Sequence, residues 1–170
     1  MPRIHVCPLS RLPEALAASG AGDLLSLIGA GVELERPEGI APERHRIVRV
    51  NDLTAALDGH VLPAEEHVAA ILAFARGWDR ERPLLMHCYA GISRSTAAAY
   101  IAACALMPER DEDELAQALR AASPSATPNA LLVAIADGML GREGRMSAAI
   151  AAIGRGAEAF EGEHFHLSVT

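Results

Sequence analysis

Apolar and polar positions alternate or cluster in ways that divide the first half of the chain into short strands and helices. Ile4–Pro8 is a short apolar run and His45–Val50 alternates polar with apolar residues, so both are predicted to be strands. Arg11–Ser19 has leucine and alanine at helical spacing and stops at Gly20, which predicts a helix. Asp23–Ile28 fits either a second helix or a strand.

A helix, a buried strand and then four helices are predicted for the rest of the chain. Apolar residues at helical spacing predict a helix over Pro63–Asp79, and the continuous run at Pro83–His87 predicts a strand buried on both faces. Thr127 is predicted as the N-cap of the third later helix, and Arg142 and Arg145 are expected to be solvated at the start of the fourth. These four helices are predicted over Ser93–Met107, Glu112–Ala122, Pro128–Leu140 and Arg142–Ile153.

This order of elements predicts an α/β fold. A strand, a helix and a strand come early and a run of helices follows, which is typical of a small, mostly parallel central sheet flanked by helices. His164–Val169 alternates weakly, as an edge strand or a loose tail would. The 170 residues contain no internal repeat and no low-complexity linker. A chain of this length fits one core, so we expect one domain spanning residues 1–170.

The charge balance argues against two classes of protein. All 15 basic residues are arginine, and 22 acidic residues bring the formal net charge to −7. A nucleic-acid-binding protein needs a basic face and an electrostatic membrane anchor needs clustered basic residues, so we expect neither nucleic acid nor a membrane as a partner. The absence of lysine and the abundance of alanine indicate the codon bias of a GC-rich genome, and we expect a bacterial protein.

Cellular location and redox state can also be predicted. No apolar run reaches the roughly 18 residues of a membrane-spanning helix, and the first residues lack the apolar region of a signal peptide. We therefore expect the mature protein to start at Met1 and to be cytoplasmic. Cys7, Cys88 and Cys104 form no Cys-x-x-Cys pair, so the sequence predicts no disulfide framework and leaves room for a single reactive thiol.

The segment Leu84–Thr96, LLMHCYAGISRST, carries the most specific signal in the chain. A buried strand is predicted to end at His87, a short loop follows, and a helix begins near Ser93 or Arg94. Successive backbone N–H groups and the positive end of the helix dipole converge in such a loop, which therefore binds anions. Gly91 allows a backbone conformation that other residues disfavour.

Three side chains of this segment suit phosphoryl transfer. The N–H groups and the helix dipole favour the thiolate form of Cys88, which is the nucleophilic form. Arg94 presents a planar pair of donors to two phosphoryl oxygens, and Ser95 is placed to hydrogen-bond the sulfur. Together they describe a nucleophile that accepts a phosphoryl group.

The nonapeptide His-Cys-Tyr-Ala-Gly-Ile-Ser-Arg-Ser resembles the signature loop of the cysteine-based protein tyrosine phosphatases, His-Cys-x5-Arg-Ser/Thr. Pro128 and Asn129 are similar to a Pro-Asn pair of dual-specificity phosphatases, in which the Asn supports the active-site loops. The similarity spans about residues 45–140 and implies the phosphatase fold, with Asn129 in the supporting role. His87 is expected to bond loop carbonyls and steady the thiolate. The resemblance implies a phosphate loop made of Tyr89, Ala90, Gly91, Ile92, Ser93 and Arg94.

The family uses an Asp on a separate loop to protonate the leaving group, and its Trp-Pro-Asp form is absent from this chain. His45–Val50, the next helix and Pro83–His87 form a strand–helix–strand unit, whose strands are expected to be parallel and to end at the same edge of the sheet. Asp52, two residues after the first of these strands, is therefore predicted to lie over the loop. Asp58, six residues later, is the alternative.

The resemblance implies a two-step reaction that needs no metal and no other cofactor. Cys88 attacks phosphorus while Asp52 protonates the leaving oxygen, and water activated by Asp52 then hydrolyses the phosphocysteine. Ser95 assists the departing thiolate, and Arg94 with the loop N–H groups holds the phosphoryl oxygens. The histidines of the chain show no metal-ligand spacing.

Phosphorylated proteins or small aryl phosphates are the expected substrates, with tyrosine-only against dual specificity left open. Lipid-directed members of the family carry lysine in or beside the loop, whereas this chain has none. One Trp, two Tyr and three Phe offer no evident stacking wall, so we expect a shallow site. Two alternatives remain: a phosphate-binding pseudophosphatase, and a thiol enzyme of the rhodanese or arsenate-reductase type. The oligomeric state is not indicated.

Overall fold

The computed structural model describes residues 1–170 and contains five strands and six helices. None of the helices has the length and hydropathy needed to cross a bilayer. The strands are β1 (Arg3–Pro8), β2 (Asp23–Ile28), β3 (His45–Arg49), β4 (Leu84–Cys88) and β5 (Phe165–Ser168). The helices are α1 (Leu12–Ser19), α2 (Glu65–Gly77), α3 (Arg94–Leu106), α4 (Glu112–Ala122), α5 (Ala130–Met139) and α6 (Arg145–Ile153).

The strands form one sheet in the order β3-β2-β4-β1-β5, and the predicted mostly parallel α/β architecture is confirmed. Four strands are parallel, and β5, from the weakly alternating tail, pairs antiparallel with β1 at the edge. Asp23–Ile28 is a strand, and all six of its residues are buried. A strand covered on both faces lacks the alternation that marks a half-exposed one, which is why the sequence left its type open.

Two layers of helices cover the sheet, and the alternation of side chains along β4 shows how. Leu84 and Met86 face the larger core, to which α2 and the four later helices contribute, whereas Leu85 between them faces a smaller core with α1. Helix α3 is central, because every residue from Ser95 to Cys104 is buried. The loop between β4 and α3 is therefore held by two elements that lie inside the protein.

Two sequence predictions about helix starts are wrong. The N-cap of α5 is Asn129 rather than Thr127, and its side-chain oxygen accepts a hydrogen bond from Leu132 N. The Thr127 hydroxyl instead donates to the Ser125 carbonyl and accepts from Gly156 N, so it is not free to cap the helix. The helix consequently begins after the Pro-Asn pair.

Arg142 is buried rather than solvated, and α6 begins only at Arg145. Its guanidinium donates to the buried Glu112 carboxylate over 2.7 Å and to the Cys104 carbonyl over 2.8 Å. Arg145, half-exposed, also donates to Glu112. This ion pair ties the turn before α6 to the first turn of α4.

We expect Arg142→Ala to lower the free energy of unfolding by about 2–4 kcal/mol, because it leaves the Glu112 carboxylate buried with one weaker partner. Urea denaturation measures the change. Arg110→Ala, which removes an exposed pair with Glu114, is the matched control and should cost no more than about 1 kcal/mol. Equal losses in the two variants would contradict a structural role for the buried pair.

Candidate active site

Residues 89–93 form a loop that connects β4 to α3 at the edge where the parallel strands end. The loop packs closely against the end of β1. Cys88 lies beside Pro8 in the register of β4 and β1. Gly91 has a φ of 69°, and a Cβ on it would lie 2.6 Å from the Pro8 nitrogen. Any other residue at this position would force the loop away from β1.

Donors from outside the loop hold its backbone carbonyls. Because a trans peptide points its C=O and the following N–H in opposite directions, bonding the carbonyls outward turns the N–H groups inward. The amides of Tyr89, Ala90, Ile92 and Ser93 donate to no protein acceptor. Five carbonyls accept hydrogen bonds in this way: Cys88 O from His87 Nδ1 (3.2 Å), Tyr89 O from Leu9 N (3.1 Å), Ala90 O from Gly162 N (2.7 Å), Ile92 O from Thr127 N (2.9 Å) and Ser93 O from Asn129 N (3.2 Å).

The Cys88 sulfur lies among hydrogen-bonding groups at the base of the loop. Its Sγ is 3.0 Å from the Ser95 hydroxyl and accepts from Gly91 N over 3.3 Å. Burial raises the pKa of both the Cys7 and the Cys104 thiol to about 12, so these two stay protonated at neutral pH. Cys88 is the cysteine that adjoins the anion-binding loop.

One nitrogen of the Arg94 guanidinium is hydrogen-bonded to the protein, and another is not. Its Nη1 donates to the Val50 carbonyl, at the end of β3, over 2.9 Å. Its Nε is buried and has no hydrogen-bond partner, and no other buried side-chain nitrogen or oxygen in the protein is left in this way. A buried N–H without an acceptor is costly, so a bound anion that accepted from it would be stabilised.

Asp52 lies against the loop, as predicted, and Asn129 holds it there. The Asp52 Oδ1 accepts hydrogen bonds from the Ser93 hydroxyl over 2.7 Å and from Asn129 Nδ2 over 2.9 Å. The same Asn129 nitrogen donates to the Leu53 carbonyl over 3.1 Å. Asp58, the alternative acid, is exposed and its carboxylate bonds to none of these residues.

An open cleft of about 730 Å³ is lined in part by Asp52 and by Ile92 and Ser93 of the loop. Residues 155–160, which follow α6, also line this cleft, and Phe160 is 93% exposed. Sequence reasoning did not assign this segment to the site, because nothing in its composition marks it. The cleft is lined by Asp52, Ile92, Ser93, Ser125, Thr127 and residues 155–160.

Gly162, which the sequence analysis also did not assign to the site, packs directly on the loop. Its N–H donates to the Ala90 carbonyl, and a Cβ on it would lie 2.6 Å from the Gly91 oxygen. The only sequence signal is a glycine in a segment that needs no turn, and it lies 71 positions after Gly91. The segment after α6 is therefore part of the scaffold of the site.

The fold is that of dual-specificity and tyrosine phosphatases. DUSP15 superposes with a TM-score of 0.59 at 15% identity, over 88% of this chain and 90% of that one. PTP-2 of Cydia pomonella gives 0.60 at 16% identity, over 79% and 84%. A mouse dual specificity phosphatase, solved in complex with zinc tungstate, gives 0.57 at 23% identity, over 80% and 79%. No protein-family model matches the chain, and no curated protein matches it.

We expect Gly162→Ala to lower the free energy of unfolding by about 1–3 kcal/mol, because the added methyl group meets the backbone of the loop. Gly31→Ala is the matched control, since a Cβ there meets no atom within 4 Å. Urea denaturation of both variants measures the difference. A Gly162→Ala protein as stable as the Gly31→Ala protein would show that the segment does not press on the loop.

Proposed function

We propose that this protein is a phosphatase that hydrolyses phosphate monoesters of phosphorylated proteins, with phosphotyrosine as the first substrate to test. The observation that carries the proposal is the buried, unpartnered Nε of Arg94, which begins α3 at the far end of the loop that follows Cys88. The loop between these two residues carries backbone amides that donate to no protein acceptor. A thiolate, a fixed guanidinium and several free N–H groups form a site for a tetrahedral dianion that reacts with sulfur.

In the first step, the Cys88 thiolate attacks phosphorus and an S–P bond forms as the P–O bond to the leaving group breaks. The protonated carboxyl of Asp52 gives its proton to the departing oxygen, so that tyrosine leaves neutral. The Arg94 guanidinium and the loop amides bind the phosphoryl oxygens as their charge shifts. The hydrogen bonds from Ser93 and Asn129 to Oδ1 leave the other Asp52 oxygen for the leaving group.

In the second step, water attacks the phosphocysteine. The Asp52 carboxylate accepts a proton from the water, the O–P bond forms, and the S–P bond breaks to release phosphate and the thiolate. The Ser95 hydroxyl, 3.0 Å from Sγ, donates a hydrogen bond to the sulfur as negative charge returns to it. Asp52 is then protonated again for the next substrate.

Phosphoproteins are favoured as substrates by the shape and charge of the surroundings. The cleft beside Asp52 is open and carries the exposed aromatic side chain of Phe160, which suits an extended peptide with an aromatic residue. The chain has no lysine to bind the extra phosphates of an inositol lipid. Its three cysteines are free, which suits a reducing compartment, and we propose a cytoplasmic location.

The direct test is hydrolysis of p-nitrophenyl phosphate and of phosphotyrosine and phosphoserine peptides, with and without orthovanadate and with and without a chelator. We expect turnover that vanadate inhibits and a chelator does not affect. Phosphate binding without turnover would instead identify a pseudophosphatase. Arsenate reduction or sulfur transfer in place of phosphate release would identify a thiol enzyme of the rhodanese or arsenate-reductase type. The peptide comparison decides between tyrosine-only and dual specificity.

We expect Cys88→Ser to abolish turnover while vanadate and phosphate still bind, since the oxygen nucleophile is far weaker but the loop amides and Arg94 remain. Isothermal titration with inorganic phosphate measures the binding. Cys104→Ala, which changes a buried thiol in α3, is the control and should keep its activity. Appreciable turnover by Cys88→Ser would exclude the covalent mechanism.

We expect Asp52→Asn to lower kcat/KM for phenyl phosphate by about 10²-fold or more, because the poor leaving group needs the proton. The loss with p-nitrophenyl phosphate should be much smaller, since this leaving group departs without protonation. Asp58→Asn is the matched control and should leave kcat/KM near the wild-type value. If Asp58→Asn shows the dependence on the leaving group and Asp52→Asn does not, Asp58 is the acid.

A further inference from the structure

A row of three polar side chains runs across one face of the sheet toward the loop. Ser26 of β2 lies directly opposite His87 of β4 in the strand register, and His45 of β3 lies diagonally beside Ser26. The Ser26 hydroxyl is 2.7 Å from His87 Nε2 and 2.9 Å from His45 Nε2. Nδ1 of His87 is 3.2 Å from the Cys88 carbonyl. The row therefore links the half-buried His45 to the backbone of the nucleophile.

The partners in this row fix the position of each proton. A carbonyl only accepts, so Nδ1 of His87 must carry a hydrogen and donate it to the Cys88 oxygen. A neutral imidazole has one N–H, which leaves Nε2 of His87 as an acceptor for the Ser26 hydroxyl. The Ser26 oxygen then accepts from the Nε2–H of His45. Every bond points the same way, from His45 through Ser26 to His87 and then to Cys88.

Burial favours the neutral state that this assignment requires. Ser26 and His87 are fully buried. Burial lowers the pKa of His87 to about 4; the hydrogen bond to the Cys88 carbonyl acts against this shift, and the nearby His45 and Arg94 add to it. Burial and Arg36 lower the pKa of His45 as well. At neutral pH the His87 ring is thus uncharged, and its single N–H is on either Nδ1 or Nε2.

The tautomer of His87 matters for the loop because it determines whether the Cys88 carbonyl receives a hydrogen bond from the ring. With hydrogen on Nδ1, His87 binds that carbonyl and so fixes the direction of the following Tyr89 N–H. With hydrogen on Nε2, the ring would set a bare nitrogen against the carbonyl oxygen, and the two would repel each other. The first amide of the loop would then lose its support.

We propose that Ser26 and His45 are positioning residues of the active site, which hold His87 in the Nδ1–H tautomer and thereby hold the first peptide of the loop. Ser26 acts directly through its O–H, and His45 acts through Ser26 by occupying the second position on its oxygen. The catalytic consequence rests on the proposed function, whereas the tautomer itself does not.

Nitrogen NMR of the histidine rings tests the tautomer in the intact protein, whether or not it is an enzyme. We expect His87, identified by comparison with the His87→Gln variant, to be neutral with hydrogen on Nδ1 from pH 7 to pH 5. In Ser26→Ala we expect a mixture with the Nε2–H form. A wild-type His87 protonated on Nε2 at neutral pH would overturn the proposal, as would an unchanged tautomer in Ser26→Ala.

Kinetics test the consequence for catalysis. We expect Ser26→Ala to lower kcat/KM for p-nitrophenyl phosphate roughly tenfold and to weaken inhibition by vanadate, because His87 loses a buried partner. His45→Leu should lower kcat/KM by roughly two- to threefold, and His45→Gln should restore it, since the Gln side chain keeps an N–H donor at that place. His166→Gln, an exposed histidine in β5, should match the wild type.

These outcomes separate the two proposals. Failure of the wild type to release phosphate from any ester would remove the proposed function but leave the tautomer test intact. A wild type that is active, with Ser26→Ala and His45→Leu variants that match its kcat/KM, would overturn the positioning role. If Ser26→Ala does not fold, the wild-type tautomer and the His45→Leu and His45→Gln pair still decide the matter.

Discussion

The structure depends on the outward binding of the loop carbonyls between Cys88 and Ser93. A loop of five residues cannot keep its amides turned inward by itself, because free amides pointing toward one another repel and each is more stable when hydrogen-bonded. Donors from β4, from the end of β1, from the segment after α6 and from the residues before α5 each take up one or two of these carbonyls. The anion site is therefore a property of the whole fold, since distant parts of the chain must meet to create it.

Asn129 connects the remaining parts of the site. Its backbone N–H binds the loop, its side-chain oxygen caps α5, and its side-chain nitrogen holds Asp52. The loop and the proposed acid are thus set against each other by one buried residue. Arg94 is fixed in a similar way, because its Nη1 donates a hydrogen bond to the Val50 carbonyl at the end of β3. Its buried Nε has no protein partner and is left to bind a ligand. Arg94 is therefore oriented by the backbone beside β3, and Asp52 by the side chains of Asn129 and Ser93.

The features of the site that depend on consecutive residues could be predicted from the sequence, and those that depend on strand register could not. The strand–loop–helix at Cys88 is encoded in consecutive residues, and the position of Asp52 follows from the direction of parallel strands. Gly162 and Ser26 are far from the loop in sequence, and only the strand order and the path of the chain after α6 bring them near it. The N-cap at Asn129 was missed because Thr127 has the same local propensity and its hydroxyl is used elsewhere. The single domain and the bacterial origin stay predictions.

The most direct measurement is the chemical identity of the reaction intermediate. The Asp52→Asn variant, mixed with p-nitrophenyl phosphate and quenched in denaturant, should accumulate a phosphoryl group, because the good leaving group departs unaided while hydrolysis lacks its base. Peptide mapping by mass spectrometry locates the modification. We expect a phosphoryl group on Cys88 and none in the Cys88→Ser protein. Phosphate release by the wild type with the label on another residue, or with Cys88 unmodified throughout, would contradict this expectation.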